Sequence, residues 1–418
     1  MALHDPLNAS GDGRLYADIT QSWSEAGGGV GTYLRHKRRH IIEQTPHRHL
    51  LIVPGARDAT TIKEGGRAVT VTIASPRVPG SPNYRLLLRN SAVRGALDEH
   101  RPDLIECQDA YNLPWAAIAH ARRHPETALV AAYCTDFPTV YVERPFSRWF
   151  GDTIGGAASR VCYRYCGALY RRFDAVYAMS ENGGAAKLRA LGVEEVDVVP
   201  LGVELGQFSP VKRDSRLRAR LGLGNQQPLL IYVGRLDCEK KPDVVVEAFR
   251  HLPKARGAAL LMLGDGPDRK EFAGRETEHI FAPGYCADRA DLAAWLASAD
   301  VYVSAMADET FGISIIEAQA SGLPVVGVAA GAMVDRVPDG LGRVGAVGDP
   351  RAMADNICAV LDDNPAAMGE AARAHALQFS WDQSMARLFG HVYREAMQRA
   401  VMRRRAPSVA AAGAFAKA

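Results

Sequence analysis

Residues 229–241 read LLIYVGRLDCEKK: an unbroken apolar run from Leu229 to Val233, then a glycine, then two cations, Arg235 and Lys240. A short, partly β-branched apolar run stopped by glycine predicts a strand buried on both faces. The pattern that follows, Asp243 to His251, is helical, so the stretch opens a βα unit. Outward from it the rhythm repeats. Strands are predicted at Ala259–Leu263, Val301–Ser304 and Pro324–Val328, and helices at Arg289–Ala297 and Ile313–Ser321. Upstream, strands are expected at His49–Val53, Ala68–Ile73, Leu104–Cys107, Ala128–Tyr133 and Ala175–Met179, with helices at Ser91–Glu99 and Leu113–Arg123. Strand and helix in alternation predict an α/β chain of two Rossmann-like, doubly wound domains facing across a cleft. The expected boundaries are 1–205 and 206–385, meeting at the Pro- and Gly-rich VPLGVELGQFSP (199–210). A returning helix is expected over 386–405 and a disordered tail over 406–418.

Composition narrows the function classes. The chain has 418 residues, 47% hydrophobic and 23% charged, as ordinary globular enzymes have. Fifty Lys and Arg against 47 Asp and Glu leave +3, too even a balance for a protein that coats nucleic acid. Basic clusters at Arg35–His40, at Arg160, Arg164, Arg171 and Arg172, and at Arg403–Arg405 are read first as solvated faces. Seven scattered cysteines with no Cys-x-x-Cys pair suggest neither a disulfide framework nor a zinc ribbon. The opening MALHDPLNASGDGR lacks a signal-peptide layout, and no apolar run is long enough to span a bilayer. The expectation is a cytoplasmic protein for which any membrane contact, at the inner face, would be peripheral.

Three local patterns carry chemistry. Gly27-Gly28-Gly29-Val30-Gly31 precedes a helical pattern from Thr32, so amides there, Gly29 among them, can approach an anion without a Cβ in the way; a flexible connector is the plain alternative. Arg235 and Lys240 follow a strand end, where they can clamp a diphosphate or merely pair with Asp237 and Glu239. Asp308-Glu309-Thr310-Phe311-Gly312-Ile313-Ser314-Ile315-Ile316-Glu317 places Glu309 before a helix and Glu317 about two turns inside it. Between the carboxylates, the amides of Phe311, Gly312, Ile313 and Ser314 offer a positive helix end to phosphate. Cations, a helix N-terminus and two separated carboxylates suit a diphosphate flanked by hydroxyl-rich groups, which is a nucleotide sugar. No G-x-x-x-x-G-K-[ST] loop and no acidic magnesium cluster is present, which disfavours phosphoryl transfer.

From Gly27 to about Leu361 the sequence resembles the retaining GT-B glycosyltransferases of family four. The most specific segments are VVPLGVELGQFSP (198–210), YVGRLDCEKK (232–241), LLMLGDGP (260–267) and the Glu309-x7-Glu317 frame. The resemblance implies that Arg235 and Lys240 bind the donor diphosphate, Glu309 the transferred sugar and Glu317 the ribose. It further implies that the amides at Gly29 and Phe311–Ser314 reach phosphate or sugar, that Tyr285 and Cys286 lie near the base, and that no metal or other cofactor is needed. In the AYCTDFP segment (132–138), Cys134 stands where many relatives have histidine, and Asp136 is the expected sugar or acceptor contact, with a turn-capping role as the alternative. IASPRVPGSPNYRLLL (73–88) is most similar to the bacterial α-mannosyltransferase branch. GDP-mannose is therefore the favoured donor and a UDP-hexose the other, with a glycan or glycolipid hydroxyl as acceptor. Two competing expectations are a nucleotide-sugar epimerase of the same fold and a non-catalytic nucleotide-sugar-binding protein.

Overall fold

The computed structural model describes residues 13–24, 28–78, 81–224 and 226–405. Gly27, most of the opening segment and the predicted tail 406–418 lie outside the described residues. The chain divides into two compact units. One takes the residues up to Ala178, Lys187–Val199 and the segment from Met385; the other takes Met179–Ala186 and Pro200–Ser384.

In the first unit the strands are β1 (Leu15–Ile19), β2 (Arg48–Gly55), β3 (Ala59–Lys63), β4 (Ala68–Ala74), a small hairpin of β5 (Arg77–Val78) and β6 (Ser81–Arg85), then β7 (Leu104–Cys107), β8 (Ala128–Tyr133), β9 (Ala175–Ala178) and β10 (Asp197–Val198). All but the hairpin form one sheet in the order β10-β9-β8-β7-β1-β2-β4-β3, parallel except for the β3–β4 pair. β3 follows β2 closely and is exposed along its length, ATTIK. It lacks the continuous apolar run by which the buried strands are legible, and sequence reading passes over it. β1 carries no continuous apolar run either, because the aspartate in LYADI interrupts it although all its residues are buried.

That aspartate belongs to a charged core. The helix Gly29–Gln44 turns Tyr33, Leu34, Lys37 and Ile41 inward at helical spacing. Lys37 Nζ meets Asp18 Oδ1 at 2.7 Å and Glu106 Oε2 at 3.1 Å, with all three side chains fully buried. His49 Nε2 contacts Asp18 Oδ2 at 2.6 Å, while Arg38 Nε donates to His49 Nδ1 at 2.8 Å. The basic stretch Arg35–His40 is thus not simply a solvated face: Lys37 and part of Arg38 serve the interior. From the C-terminal helices, Tyr393 donates to Glu106 at 2.8 Å, and Arg399 and Arg403 bond to Asp174.

The second unit has β11 (Leu229–Val233), β12 (Ala259–Leu263), β13 (Ile280–Gly284), β14 (Val301–Val303), β15 (Val325–Val328) and β16 (Gly342–Gly345). They form one wholly parallel sheet ordered β13-β12-β11-β14-β15-β16. The strand order reverses between β11 and β14. In open α/β sheets ligands bind outside the carboxyl ends of the strands at such a switch point. The helices Pro242–His251 and Pro350–Asp362 cover one face, Val245, Val246 and Phe249 packing with Met353 and Ile357 on Leu230, Tyr232 and Leu260.

Candidate nucleotide-sugar site

Two loops leave the switch point of the second unit. After β11, Asp237 accepts from the amides of Glu239 and Lys240 at 3.2 Å each, a turn that fixes where Lys240 points. The loop is buttressed from β12: a Cβ on Gly264 would lie 1.8 Å from the Gly234 carbonyl oxygen, and one on Gly266 2.2 Å from that of Leu236. Only glycine lets the two backbones approach so closely. After β14, Gly312 takes φ +83° as the N-cap of the helix Ile313–Ala320, and the Glu309 carbonyl accepts from the Ala332 amide at 2.7 Å.

Lys240 Nζ lies 3.0 Å from Glu309 Oε2. Glu309 Oε1 also accepts from the Gly312 amide at 3.1 Å. Burial would raise the Glu309 carboxyl, but the Lys240 charge and hydrogen bond, with the amides of Phe311 and Gly312, hold it below the usual glutamate range. Two of the four amides expected to greet phosphate therefore serve Glu309 here, and Ile313 and Ser314 form the first turn beyond them. Ser314 Oγ shares a 2.8 Å hydrogen bond with the buried Tyr302 hydroxyl, which also reaches the Val233 carbonyl at 3.3 Å. Phe311 is buried beneath the Arg336 guanidinium, 4.5 Å from its ring centroid, and its carbonyl accepts from Arg336 Nε at 3.0 Å.

Glu317 is the fifth residue of its helix, one turn in rather than two, because the helix begins only at Ile313. Its carboxylate is buried and bound by Arg289 Nη2 at 2.5 Å. Arg289 opens the helix Arg289–Ser298 and lies over the Phe208 ring at 4.7 Å. Burial pushes the Glu317 carboxyl up, and the charge and hydrogen bond of Arg289 only partly offset it. The two carboxylates thus titrate in opposite directions, one bound by a loop lysine and the other by a helix-terminal arginine. Arg289, Tyr302 and Arg336 carried no sequence signal, since each is recognisable only from what it touches.

Arg235 takes the alternative that its neighbours offered: it pairs with Asp237 at 2.5 Å and Glu239 at 2.6 Å and is 61% exposed. Lys240 does not, turning to Glu309 instead. Tyr285 and Cys286 follow β13, which β12 and β11 separate from β14; Tyr285 is exposed and Cys286 Sγ donates to the Asp288 carbonyl at 3.4 Å.

The remaining expected residues lie in the first unit. The helix after β1 begins at Gly29 itself, earlier than the Thr32 read from the sequence, and Gly28 caps it at φ +115°. Asp109 anchors the loop before it, accepting from Thr20 Oγ1 at 2.8 Å and from the Gln21 amide and Ser22 Oγ at 2.5 Å each. Asp136 is buried, with one oxygen on Lys187 Nζ at 2.5 Å and the other on the Tyr163 hydroxyl at 2.7 Å. Cys134 is half-buried; burial, with the Glu106 and Asp109 charges, pushes its thiol well up, so it is neutral at physiological pH.

Two family models match: "Glycosyltransferase Family 4" over residues 27–207 and "Glycosyl transferases group 1" over 227–363. A GDP-mannose-dependent alpha-mannosyltransferase of Corynebacterium glutamicum is 30% identical over 298 residues, 71% of this chain and 68% of that protein. The chain belongs to the family 4, group 1 glycosyltransferases. As a member it is a hexosyltransferase. This glycosyltransferase is also 29% identical over 343 residues to the GDP-mannose-dependent alpha-(1-6)-phosphatidylinositol dimannoside mannosyltransferase of Mycobacterium tuberculosis, covering 81% of this chain and 86% of that one. With a D-inositol 3-phosphate glycosyltransferase of Xylanimonas cellulosilytica it shares 36% identity over 245 residues, 54% of this chain but only 58% of that enzyme's length. Among solved structures, sucrose-phosphate synthase from Thermosynechococcus elongatus superposes with a TM-score of 0.72 at 19% identity, over 92% of this chain and 99% of that one. At that identity the likeness is one of fold: two Rossmann-like units, the GT-B plan.

Proposed function

We propose that this glycosyltransferase moves mannose from GDP-mannose to a hydroxyl of a glycan or glycolipid, with retention at the anomeric carbon and without a metal. The observation that carries the reading is the arrangement at the β11/β14 switch point. There Lys240 and the N-terminal end of the helix Ile313–Ala320 supply positive charge, and Glu309 and Glu317 supply acceptors for hydroxyl groups. In this reading the donor diphosphate takes the Lys240 ammonium, with Arg235 swinging from its surface pairs to join it. Glu309, released in part from Lys240, accepts from sugar hydroxyls, and Glu317, oriented by Arg289, accepts from the ribose. As the glycosidic bond breaks, negative charge grows on the departing diphosphate and meets fixed cations and helix amides that need not reorganise. The mannose assignment is supported by the GDP-mannose dependence named for the Corynebacterium and Mycobacterium relatives. No helix among the described residues is long and apolar enough to cross a membrane, and we place the reaction on the cytoplasmic side.

Calorimetric titration with GDP and UDP, followed by transfer from GDP-mannose with NMR of the product anomer, tests the reading. Preferential GDP binding and an α-linked product are expected; selective UDP binding would overturn the donor assignment, and an inverted product the mechanism.

A further inference from the structure

The arginines at 160, 164, 171 and 172 are not absorbed by the donor site. Two of them stand on an exposed surface of unusual make-up. The helix Arg144–Phe150 turns at Gly151, φ +83°, into the helix Asp152–Tyr170. The two helices are tightly apposed, since a Cβ on Gly155 would lie 2.0 Å from Ser147 Oγ and 2.8 Å from the Glu143 carbonyl oxygen. Gly155, Ser159, Cys166 and Tyr170 of the longer helix face inward. On its outer side Ile154 and Val161, seven residues apart, share one exposed face, and Arg160 and Arg164, four apart, form the exposed row beside it.

At the turn, where a soluble surface would carry polar groups, stand Trp149 and Phe150, 79% and 62% exposed; Ile154 is 51% and Val161 65% exposed. Large apolar side chains grouped in this way are uncommon on a soluble monomer unless something covers them. The charge around them says what. Residues 144–172 hold six arginines and one aspartate, a local +5 in a chain whose whole excess is +3.

We propose that this helical hairpin docks on an anionic lipid bilayer, Trp149, Phe150, Ile154 and Val161 entering the headgroup boundary while Arg160 and Arg164 meet lipid phosphates. Aromatic side chains favour that boundary, where one part of the ring system is apolar and the other wet. Arginine gives bidentate contact with phosphate, and its aliphatic stem can lie along the acyl edge. A basic face interleaved with aromatic and aliphatic groups is the pattern by which helices lie on, rather than span, a membrane. The inference deepens the reading above by naming the partner surface of a glycolipid-modifying enzyme, but its observations do not depend on the donor site.

Flotation of the full-length protein with vesicles tests it, using phosphatidylcholine alone and an equimolar mixture with phosphatidylglycerol. Binding to the anionic vesicles only is expected, weakening as salt is raised, because arginine–phosphate attraction is screened over about 8 Å at physiological ionic strength. The W149S/F150S variant should lose roughly tenfold or more in partitioning, and R160Q/R164Q should lose selectivity for the anionic vesicles. Both should keep the parent's circular dichroism and unfolding temperature, since these side chains face outward. Failure of the parent to bind, or equal partitioning by parent and W149S/F150S, overturns the proposal. So does a parent dimer in sedimentation equilibrium that W149S/F150S converts to monomer, which would assign the patch to a second copy of the chain. No nucleotide enters the measurement, so an error in the donor assignment would not alter its outcome.

Discussion

Lys240 Nζ and Glu309 Oε2, 3.0 Å apart, join the loop after β11 to the loop after β14 across the point where the strand order of the second unit reverses. The pair is mostly buried, so each group is stabilised chiefly by the other. In the function proposed above, a donor diphosphate would compete with Glu309 for the same ammonium, exchanging one partner of Lys240 for another.

K240A should lower turnover by about 10²- to 10³-fold, the usual effect of removing one preorganised group facing charge that develops in a transition state. It also strands Glu309, so the second unit should lose about 2 kcal/mol. In urea unfolding of K240A/E309Q most of that stability should return while turnover does not. Near-normal turnover of K240A would overturn the role given to Lys240.

E317Q tests the other carboxylate through pH. The folded chain holds the Glu317 proton to a higher pH than the unfolded chain, because burial opposes ionisation. Stability contributed at this site therefore falls as pH rises from the ordinary glutamate range through the raised one. Parent and E317Q should diverge in unfolding temperature over that interval, and donor affinity of E317Q should drop by roughly tenfold. An unchanged pH profile would mean that Arg289 compensates Glu317 fully.

His49 should make the first unit acid-sensitive. Arg38 donates to Nδ1, so that nitrogen carries no proton, and the neutral ring donates from Nε2 to Asp18. Burial depresses His49 from 6.5 to about 4, beyond what the bond to Asp18 restores. A base with a lowered folded pKa is fully stabilising above its unfolded value and loses that contribution as pH falls toward the folded one. Cooling of stability by about 2 kcal/mol is expected between about pH 7 and about pH 5, and H49Q should flatten that slope. Asp18, held to about 2 as Lys37 and His49 outweigh its burial, keeps its share to much lower pH.

G264A should disturb the donor loop without touching a charged group. Its new Cβ would meet the Gly234 carbonyl oxygen at 1.8 Å, so the backbone before Arg235 must move. Strain of this kind costs about 1–3 kcal/mol. A lower unfolding temperature and weaker nucleotide binding, read by calorimetry, are expected together; binding unchanged would show that the loop is not positioned by β12.

Four buried parallel strands were legible because burial on two faces favours an apolar run: β7, β8, β11 and β12 have the limits their sequences predict, β7 even with the buried Glu106 within it. β1 and β3 were not, one because a buried aspartate breaks its pattern and the other because it is an exposed edge. In the candidate site, Lys240, Glu309 and Glu317 were legible from residue type and spacing after strand ends. Their partners were less so, since an ion pair such as Arg289 with Glu317 joins residues far apart in sequence, and nothing local marks it.

By itself the sequence determined the alternating architecture, the chemistry on offer at each strand end and the nearly balanced charge, because these follow from local pattern and composition. Tertiary structure alone decided which charges meet. It sent Lys37 into the core, Arg235 to its surface neighbours and Lys240 to Glu309, and it left the arginines of the 144–172 hairpin beside exposed aromatic rings. The reason is physical: the strength of an ionic contact depends on distance and burial, which chain folding sets and residue order along one segment does not.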